Sequence, residues 1–429
     1  MAFPFGDGRD WFQEARFGLF VHWGIYALDG WHEQQHYRGR LGRQEYRAIA
    51  ARFNPRAFDP DAWLDLAEAC GMRYLVVTAK HIDGFCLFTS AVSDFTVAQT
   101  PYRRDLIGQI AAACQRRRFP FGVYFSALDN LQPFYPRADR AHESPAEPGD
   151  APDYERYMEF VRAQVRELCT RYGELRVFWW DANRTGLVDR SVNDLIRSLQ
   201  PHCVINDRGW DEGDFGTPER SYDAGVEAVT PFSRRTEACE SVGSQSWGFR
   251  ADEDYFTPRY LMGRIDLMMA KGANYLLNVG PDGEGRIPAE PQRLLRQVGS
   301  WYRAVRESLD GTVLAGELSL NREVLLTRRG NTVYVHLNAL PKTTAVPLRP
   351  LNVLPARATL LNTGEAVECD LNRLPVLHRE PVTTCLRLHG LPVERLAGEV
   401  PVVKLEFEAG FETGGLGAAA GKAADLAVR

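Results

Sequence analysis

Apolar positions along the first three hundred or so residues follow two alternating rhythms. Short unbroken apolar runs suit buried strands; between them lie segments whose apolar residues recur with a helical period. Gly18-Leu-Phe-Val-His22 predicts a first strand, Asp61 to Ala69 a helix, and Arg73-Tyr-Leu-Val-Val-Thr78 a second strand. Asp105 to Gln115 reads as helical and Phe121-Gly-Val-Tyr124-Phe-Ser as a third strand. A further helix starts near Asp153, a good N-cap type, with the core stripe Met158, Val161, Val165 and Leu168. Leu175-Arg-Val-Phe-Trp-Trp-Asp181 is a β-branched and aromatic run that stops at a carboxylate. After it come a helix near Val192 to Leu199, the strand Cys203-Val-Ile-Asn206, a helix from Thr257 to Ala270, the strand Asn274-Tyr-Leu-Leu-Asn278, and a helix from Pro291 to Glu307.

Repeated βα units over roughly 250–300 residues predict a closed, irregular (β/α)8-like TIM barrel over residues 1–310. A doubly wound open sheet is the rival, and the lack of G-x-G-x-x-G after the first strand weakens it. After residue 311 the texture changes. Glu323-Val-Leu-Leu-Thr327, Thr332-Val-Tyr-Val-His336-Leu and Val402-Val-Lys-Leu-Glu-Phe407 are short, partly alternating, and separated by turn signals such as Arg329-Gly-Asn331. Residues 311–410 therefore predict an antiparallel β-sandwich, and the Gly- and Ala-rich residues 411–429 a disordered tail. Arg137 to Pro152, rich in Pro, Asp and Glu, reads as an exposed loop.

Composition narrows the function classes. The 429 residues are 45% hydrophobic and 25% charged, with a net charge of −5, which gives no electrostatic reason to expect nucleic acid or an anionic membrane as partner. The N-terminus has no basic segment followed by an apolar core, and the apolar runs are too short to span a bilayer. The eight cysteines form no C-x-x-C pair and several fall in core elements, so free thiols and a cytoplasmic location are expected. The sequence is compatible with either a monomer or a homo-oligomer.

The polar residues just past each predicted strand carry the chemistry. His22, the turn Lys80-His81-Ile82-Asp83-Gly84, Tyr124, Asp181, Asn206-Asp207-Arg208 with Asp214 to Glu219 behind it, Gln245-Ser-Trp247-Gly, and Asn278-Val-Gly280 all fall at one end of successive strands. In a barrel those ends meet on one face. Taken singly, each has a plainer role: a core histidine, a capped turn, a packed indole. Together they suit recognition of a hydroxyl-rich ligand with acid/base chemistry. A retaining glycosidase needs an ionised carboxylate as nucleophile and a second carboxyl as acid/base. Asp181 suits the first role; Glu219 is the candidate for the second, with Asp207, Asp214 and Glu240 as competitors. No H-E-x-x-H or His/Cys spacing supports a metal, and no G-x-S-x-G supports a serine nucleophile.

Trp11-Phe-Gln-Glu-Ala-Arg-Phe-Gly-Leu-Phe-Val-His22-Trp-Gly, Thr78-Ala-Lys-His81-Ile-Asp-Gly-Phe, Gly122-Val-Tyr124-Phe-Ser, Phe178-Trp-Trp-Asp181, Asn206-Asp-Arg208, Ser246-Trp247-Gly-Phe and Leu276-Leu-Asn278-Val-Gly-Pro resemble, in order, the α-L-fucosidases of glycoside hydrolase family 29. The resemblance implies a retaining exo-acting α-L-glycosidase without a cofactor, acting on an oligosaccharide or simple glycoside. It implies Asp181 as nucleophile and Glu219 as acid/base. It places His22, His81, Tyr124, Trp179, Arg208 and Trp247 on the sugar. Two departures touch recognition. Ile82 stands where the family usually has a second histidine. Gln34, after Glu33, stands where it often has tryptophan, so Glu33 and Gln34 are candidate replacement contacts. L-galactose or L-glucose in place of L-fucose, or a homologue that binds sugar without catalysis, are the alternatives.

Overall fold

The computed structural model describes residues 3–182, 189–220, 230–373 and 384–408. Seven parallel strands form its main sheet: β1 Phe17–Val21, β2 Leu75–Lys80, β3 Phe121–Ser126, β4 Val177–Asp181, β5 Val204–Ile205, β6 Glu237–Ser241 and β7 Asn274–Val279, in the order β5-β4-β3-β2-β1-β7-β6. Almost every residue in them is buried. That is what apolar runs covered on both faces produce.

Strand alternation splits each run between two cores. Phe17, Leu19, Val21, Phe178 and Trp180 pack outward against the helices. Phe20, Val76, Tyr124, Val177, Trp179, Val204, Cys239 and Leu276 converge on the concave side of the curled sheet in a cluster of their own. Phe215 joins that inner cluster. Its segment makes isolated parallel bridges to both sheet edges, Asn206↔Phe215 on one side and Gly216↔Thr236 and Glu219↔Cys239 on the other. The turn into this segment needs Gly213, at φ +56°, because a Cβ there would lie 2.3 Å from the Asn206 carbonyl oxygen.

Several boundaries differ from the sequence reading. The second strand is two residues later than Arg73 to Thr78. β6 was not foreseen at all, since Glu237-Ala-Cys-Glu-Ser241 looks polar although every residue in it is buried. Short helices at Gln35–Gly39 and Arg43–Ile49 follow β1. Arg137 to Pro152 has no regular structure but is not freely exposed. Glu143 is buried, accepting from the Ala138 and Arg140 amides and from the Tyr135 hydroxyl, and Asp150 pairs with Arg43 and Arg137. The helix Tyr154–Arg171 starts at Asp153, whose side chain accepts from the Arg156 amide.

Beyond the last long helix, Ala289–Val305, the strands turn antiparallel. These are β8 Val313–Leu314, β9 Leu325–Arg329, β10 Thr332–His336, β11 Val346–Leu348, β12 Arg357–Leu360, β13 Glu368–Arg373, β14 Thr384–His389 and β15 Val402–Glu406. They form a five-stranded sheet, β12-β15-β10-β9-β8, and a three-stranded one, β11-β14-β13, around a separate apolar cluster that includes Val333, Val335, Leu386, Leu388, Val403 and Leu405. The two parts lock together through buried polar contacts: Trp301 donates to the Val400 carbonyl, and His336 lies 2.6 Å from Asp266. The predicted tail, 411–429, lies outside the described residues. None of the eight cysteines is in a disulfide. No described helix is long and apolar enough to cross a membrane.

Candidate active site

At the carboxyl ends of these strands a single cavity collects all ten residues singled out from the sequence: His22, Glu33, Gln34, His81, Tyr124, Trp179, Asp181, Arg208, Glu219 and Trp247. Phe20, Ile82, His142, Ala182 and Cys239 complete its walls. Alternation explains which members of each run arrive there. Val177, Trp179 and Asp181 share the inner side of β4, while Trp180 points outward and donates to Asn193. Phe215, Thr217 and Glu219 repeat the pattern on the bridging segment, where Phe215 packs inward and the other two meet Arg208.

Arg208 is the hub. Its Nη1 donates to Asp181 Oδ1 at 3.2 Å and to Glu219 Oε2 at 2.7 Å, while Nε and Nη2 are anchored on the hydroxyl and carbonyl of Thr217. Because a single nitrogen touches both carboxylates, at 3.2 and 2.7 Å, these two oxygens lie at most about 6 Å apart, which accommodates the roughly 5–5.5 Å of retaining enzymes. The second oxygen of Asp181 accepts from the Tyr124 hydroxyl at 2.7 Å. Recession from solvent works to raise the Asp181 carboxyl, but the Arg208 charge, the Tyr124 hydroxyl and the Ala182 amide outweigh it and hold the group below its ordinary value. Asp181 is therefore ionised at neutral pH, as a nucleophile must be.

Aromatic planes line the wall beside it. Trp179 stacks on Tyr124 at 5.6 Å and 17°, Tyr124 on His81 at 5.6 Å and 17°, and the Arg208 guanidinium lies 4.8 Å from the Trp179 ring centre. His22 Nδ1 is 2.7 Å from Asn278 Oδ1, and the Asn278 amide nitrogen donates to Ser241 Oγ and to the Trp247 carbonyl. This arrangement assigns the His22 proton to Nδ1 and leaves Nε2 as an acceptor. Burial, with His81 nearby, drives His22 down to about 3; burial also drives His81 down to about 4. Both are neutral imidazoles at working pH, suited to sharing hydrogen bonds with hydroxyls. Glu33 Oε2 takes bonds from Ser246 Oγ at 2.5 Å and the Trp247 and Gly248 amides at 2.9 and 3.3 Å, so Glu33 shapes the loop that presents Trp247 as well as lining the cavity. Gln34 Oε1 accepts from Arg38.

The competing carboxylates go elsewhere. Asp214 accepts from Arg9, Arg197 and the Ile205 amide; Asp207 accepts from Thr217 and faces Arg234. Glu240 sits on the outer side of β6, where its neighbour Ala238 packs against the helices, and pairs with Arg220 at 3.3 Å. Burial pushes the Glu240 carboxyl up to about 7, against the pull of Arg220. A carboxyl raised from about 4.5 when unfolded to about 7 when folded contributes stability below the lower value and loses it as pH rises through the upper one. Glu240→Gln is accordingly expected to gain a few degrees in Tm over the parent on going from pH 5 to pH 8, as read by thermal denaturation. A constant Tm difference between the two would contradict the shift.

Sequence reasoning passed over one buried polar residue that the site uses, Glu237, which accepts from the Trp179 indole. Asn278, one of the strand-end polar residues picked out from the sequence, orients His22.

Comparison with known proteins places this geometry. The family described as Alpha-L-fucosidase matches residues 7–307. The tissue alpha-L-fucosidase of Bos taurus is 28% identical over 389 residues, covering 84% of this chain and 82% of that protein. Among solved structures, alpha-L-fucosidase isoenzyme 1 from Paenibacillus thiaminolyticus is 30% identical with a TM-score of 0.81, covering 94% of this chain and 99% of its own. An alpha-L-fucosidase from Bacteroides thetaiotaomicron, captured as a covalent intermediate with 2-fluoro-fucosyl fluoride, is 25% identical with a TM-score of 0.78, covering 95% and 97%.

Proposed function

The chain belongs to the alpha-L-fucosidase family, and from that premise we propose a retaining, exo-acting hydrolase of terminal α-L-fucosides that works through Asp181 and Glu219. The observation that carries the reading is the single guanidinium nitrogen of Arg208 shared by both carboxylates at the head of the cavity. Asp181 attacks the anomeric carbon while Glu219 delivers a proton to the departing glycosidic oxygen. The anomeric C–O bond to the leaving group breaks as the ester bond to Asp181 forms. Glu219 then takes a proton from water, whose oxygen displaces the ester and returns the sugar with its original anomeric configuration. His22, His81, Arg208 and Trp247 are assigned to the sugar hydroxyls and ring faces, with Tyr124 and Trp179 behind the nucleophile and Glu33 and Gln34 on the side wall.

The curled sheet supports a (β/α)8-like barrel in which residues 215–219 supply the irregular eighth strand, followed by a C-terminal β-sandwich from residue 311 onward.

Ile82 bears on the choice of sugar. It lines the cavity beside His81, and its side chain can neither donate nor accept a hydrogen bond, so a hydroxyl aimed at that side chain would be buried without a partner there. A 6-deoxy sugar presents one hydroxyl fewer than its parent hexose. In a screen of aryl α-L-fucoside, α-L-galactoside and α-L-glucoside, the fucoside is expected to give the highest kcat/KM, by about tenfold or more. NMR of the first-formed product should show the α anomer. A higher rate on either of the other sugars would overturn the fucoside assignment, and a β product would overturn retention.

A further inference from the structure

Deeper in the curled sheet, below the carboxylate pair, lies one more acid. Glu237, on β6, is 0% exposed. Its Oε1 accepts from Trp179 Nε1 at 2.9 Å and its Oε2 from the Tyr74 hydroxyl. The backbone makes room for this arrangement: β1 carries Gly18 where a Cβ would lie 2.5 Å from the Tyr74 ring, so only glycine lets that ring cross β1. Trp11 and Phe12 pack on the edges of Tyr74. Burial drives the Glu237 carboxyl up to about 7 even against the two donors. Such a group is a poor source of stability, since apolar replacements of buried polar clusters are often neutral or stabilising. Its presence calls for another reason.

Trp179 supplies one. Tyr124 stacks on it and the Arg208 guanidinium lies over its ring, and these are the two side chains that donate to Asp181. An indole contacted on its ring in this way still needs something to fix its rotation within the ring plane, and its N–H bond to Glu237 does that. We propose that Glu237 is a positioning residue for the nucleophile: by holding the Trp179 N–H it fixes the ring against which Tyr124 and Arg208 are set on Asp181. The inference rests on the reading of Asp181 as nucleophile. Glu237 touches no substrate and moves no proton in the reaction. Without its acceptor the buried N–H is left unsatisfied, the ring shifts to find a partner, and both donors to Asp181 move with it. A displacement of about 1 Å is enough to cost on the order of a hundredfold in rate.

The test uses Glu237→Leu, Glu237→Gln and Trp179→Phe in the full chain, with aryl α-L-fucoside as substrate. Glu237→Leu is expected to lower kcat/KM by about ten- to a hundredfold, chiefly through kcat, and to move the acidic limb of the pH profile to higher pH. Arg208, Tyr124, His81 and the Ala182 amide are the groups that act on Asp181, and the first two depend on the indole. Glu237→Gln keeps an oxygen for the Trp179 N–H and is expected to stay within about threefold of the parent with its acidic limb in place. Trp179→Phe keeps a ring but has no N–H, so adding Glu237→Leu to it should move the limb little further. A folded Glu237→Leu enzyme with parental kcat/KM and an unmoved limb would overturn the proposal. If that variant does not fold, an unmoved limb in Trp179→Phe does the same. A parent enzyme inert toward the fucoside overturns the functional reading and this inference with it; an active parent with unaffected variants overturns this inference alone.

Discussion

Asp181→Ala is expected to lose about 10⁴-fold or more in kcat/KM on an aryl α-L-fucoside, on the order of 5 kcal/mol or more of transition-state stabilisation. The chain of cause is short. Asp181 ends β4 on its inner side, and Tyr124 and Arg208 keep it ionised despite its recession. Deleting the carboxylate removes both the bond-forming atom and the negative charge that stabilises the oxocarbenium-like transition state. The space left is small and lies on the face of the sugar opposite the leaving group. Azide, which needs no base, is expected to enter it and restore turnover. Attack from that face gives a β-L-fucosyl azide, inverted relative to the substrate, identifiable by the anomeric coupling in NMR. Near-parental activity without azide would remove Asp181 from the role, and a retained azide product would show that the vacated face is the other one.

Much of the site was legible because strand ends are marked twice in a sequence: once by the end of an apolar run and once by the polar residue that follows. His22, His81, Asp181 and Arg208 all carry that double mark, and all line the cavity. Alternation then separates Trp179 from Trp180, one facing the ligand and the other the helices. β6 escaped because its signal is reversed. Glu237 and Glu240 give it the look of a surface segment, yet each is buried, one facing Trp179 and Tyr74 and the other Arg220. A pairwise contact of that kind joins residues far apart in the chain, and no local pattern announces it. The same reason hid the restraint on Arg137 to Pro152, whose composition is that of an exposed loop but whose Glu143 is buried under backbone amides. The bridging segment 215–219 has too few paired residues to count as a regular strand, and its place between the sheet edges depends on Gly213 and the pairing of Asn206 with Phe215.

Removing Glu219 should separate the two halves of the reaction. Glu219 sits at the end of the bridging segment, paired with Arg208, and its neighbour Arg220 adopts φ +47°, a left-handed conformation rare for a non-glycine residue. Arg220 is held there by Glu240, the Ser244 carbonyl and the Trp247 ring, so the backbone beside the acid is fixed from the outer side of β6. Glu219→Ala is expected to cost about 10²- to 10⁴-fold in kcat/KM on a disaccharide, whose leaving alkoxide needs a proton, and about tenfold or less on an aryl fucoside with a strongly acidic phenol, which leaves without one. The second step suffers in both cases, because water then lacks its base. The glycosyl-enzyme should therefore accumulate, giving a burst of phenol followed by a slow steady state and a lowered KM. Azide attacks that intermediate from the face Glu219 occupied, the face the leaving group came from, so the rescued product is the α-L-fucosyl azide. Opposite azide configurations from Asp181→Ala and Glu219→Ala would place the two carboxylates on opposite faces of one sugar. A Glu219→Ala enzyme at full rate on the disaccharide would send the acid/base role to another carboxylate. Glu240 would then have to reach the sugar from the far side of its strand, so such a result would also require β6 to rearrange.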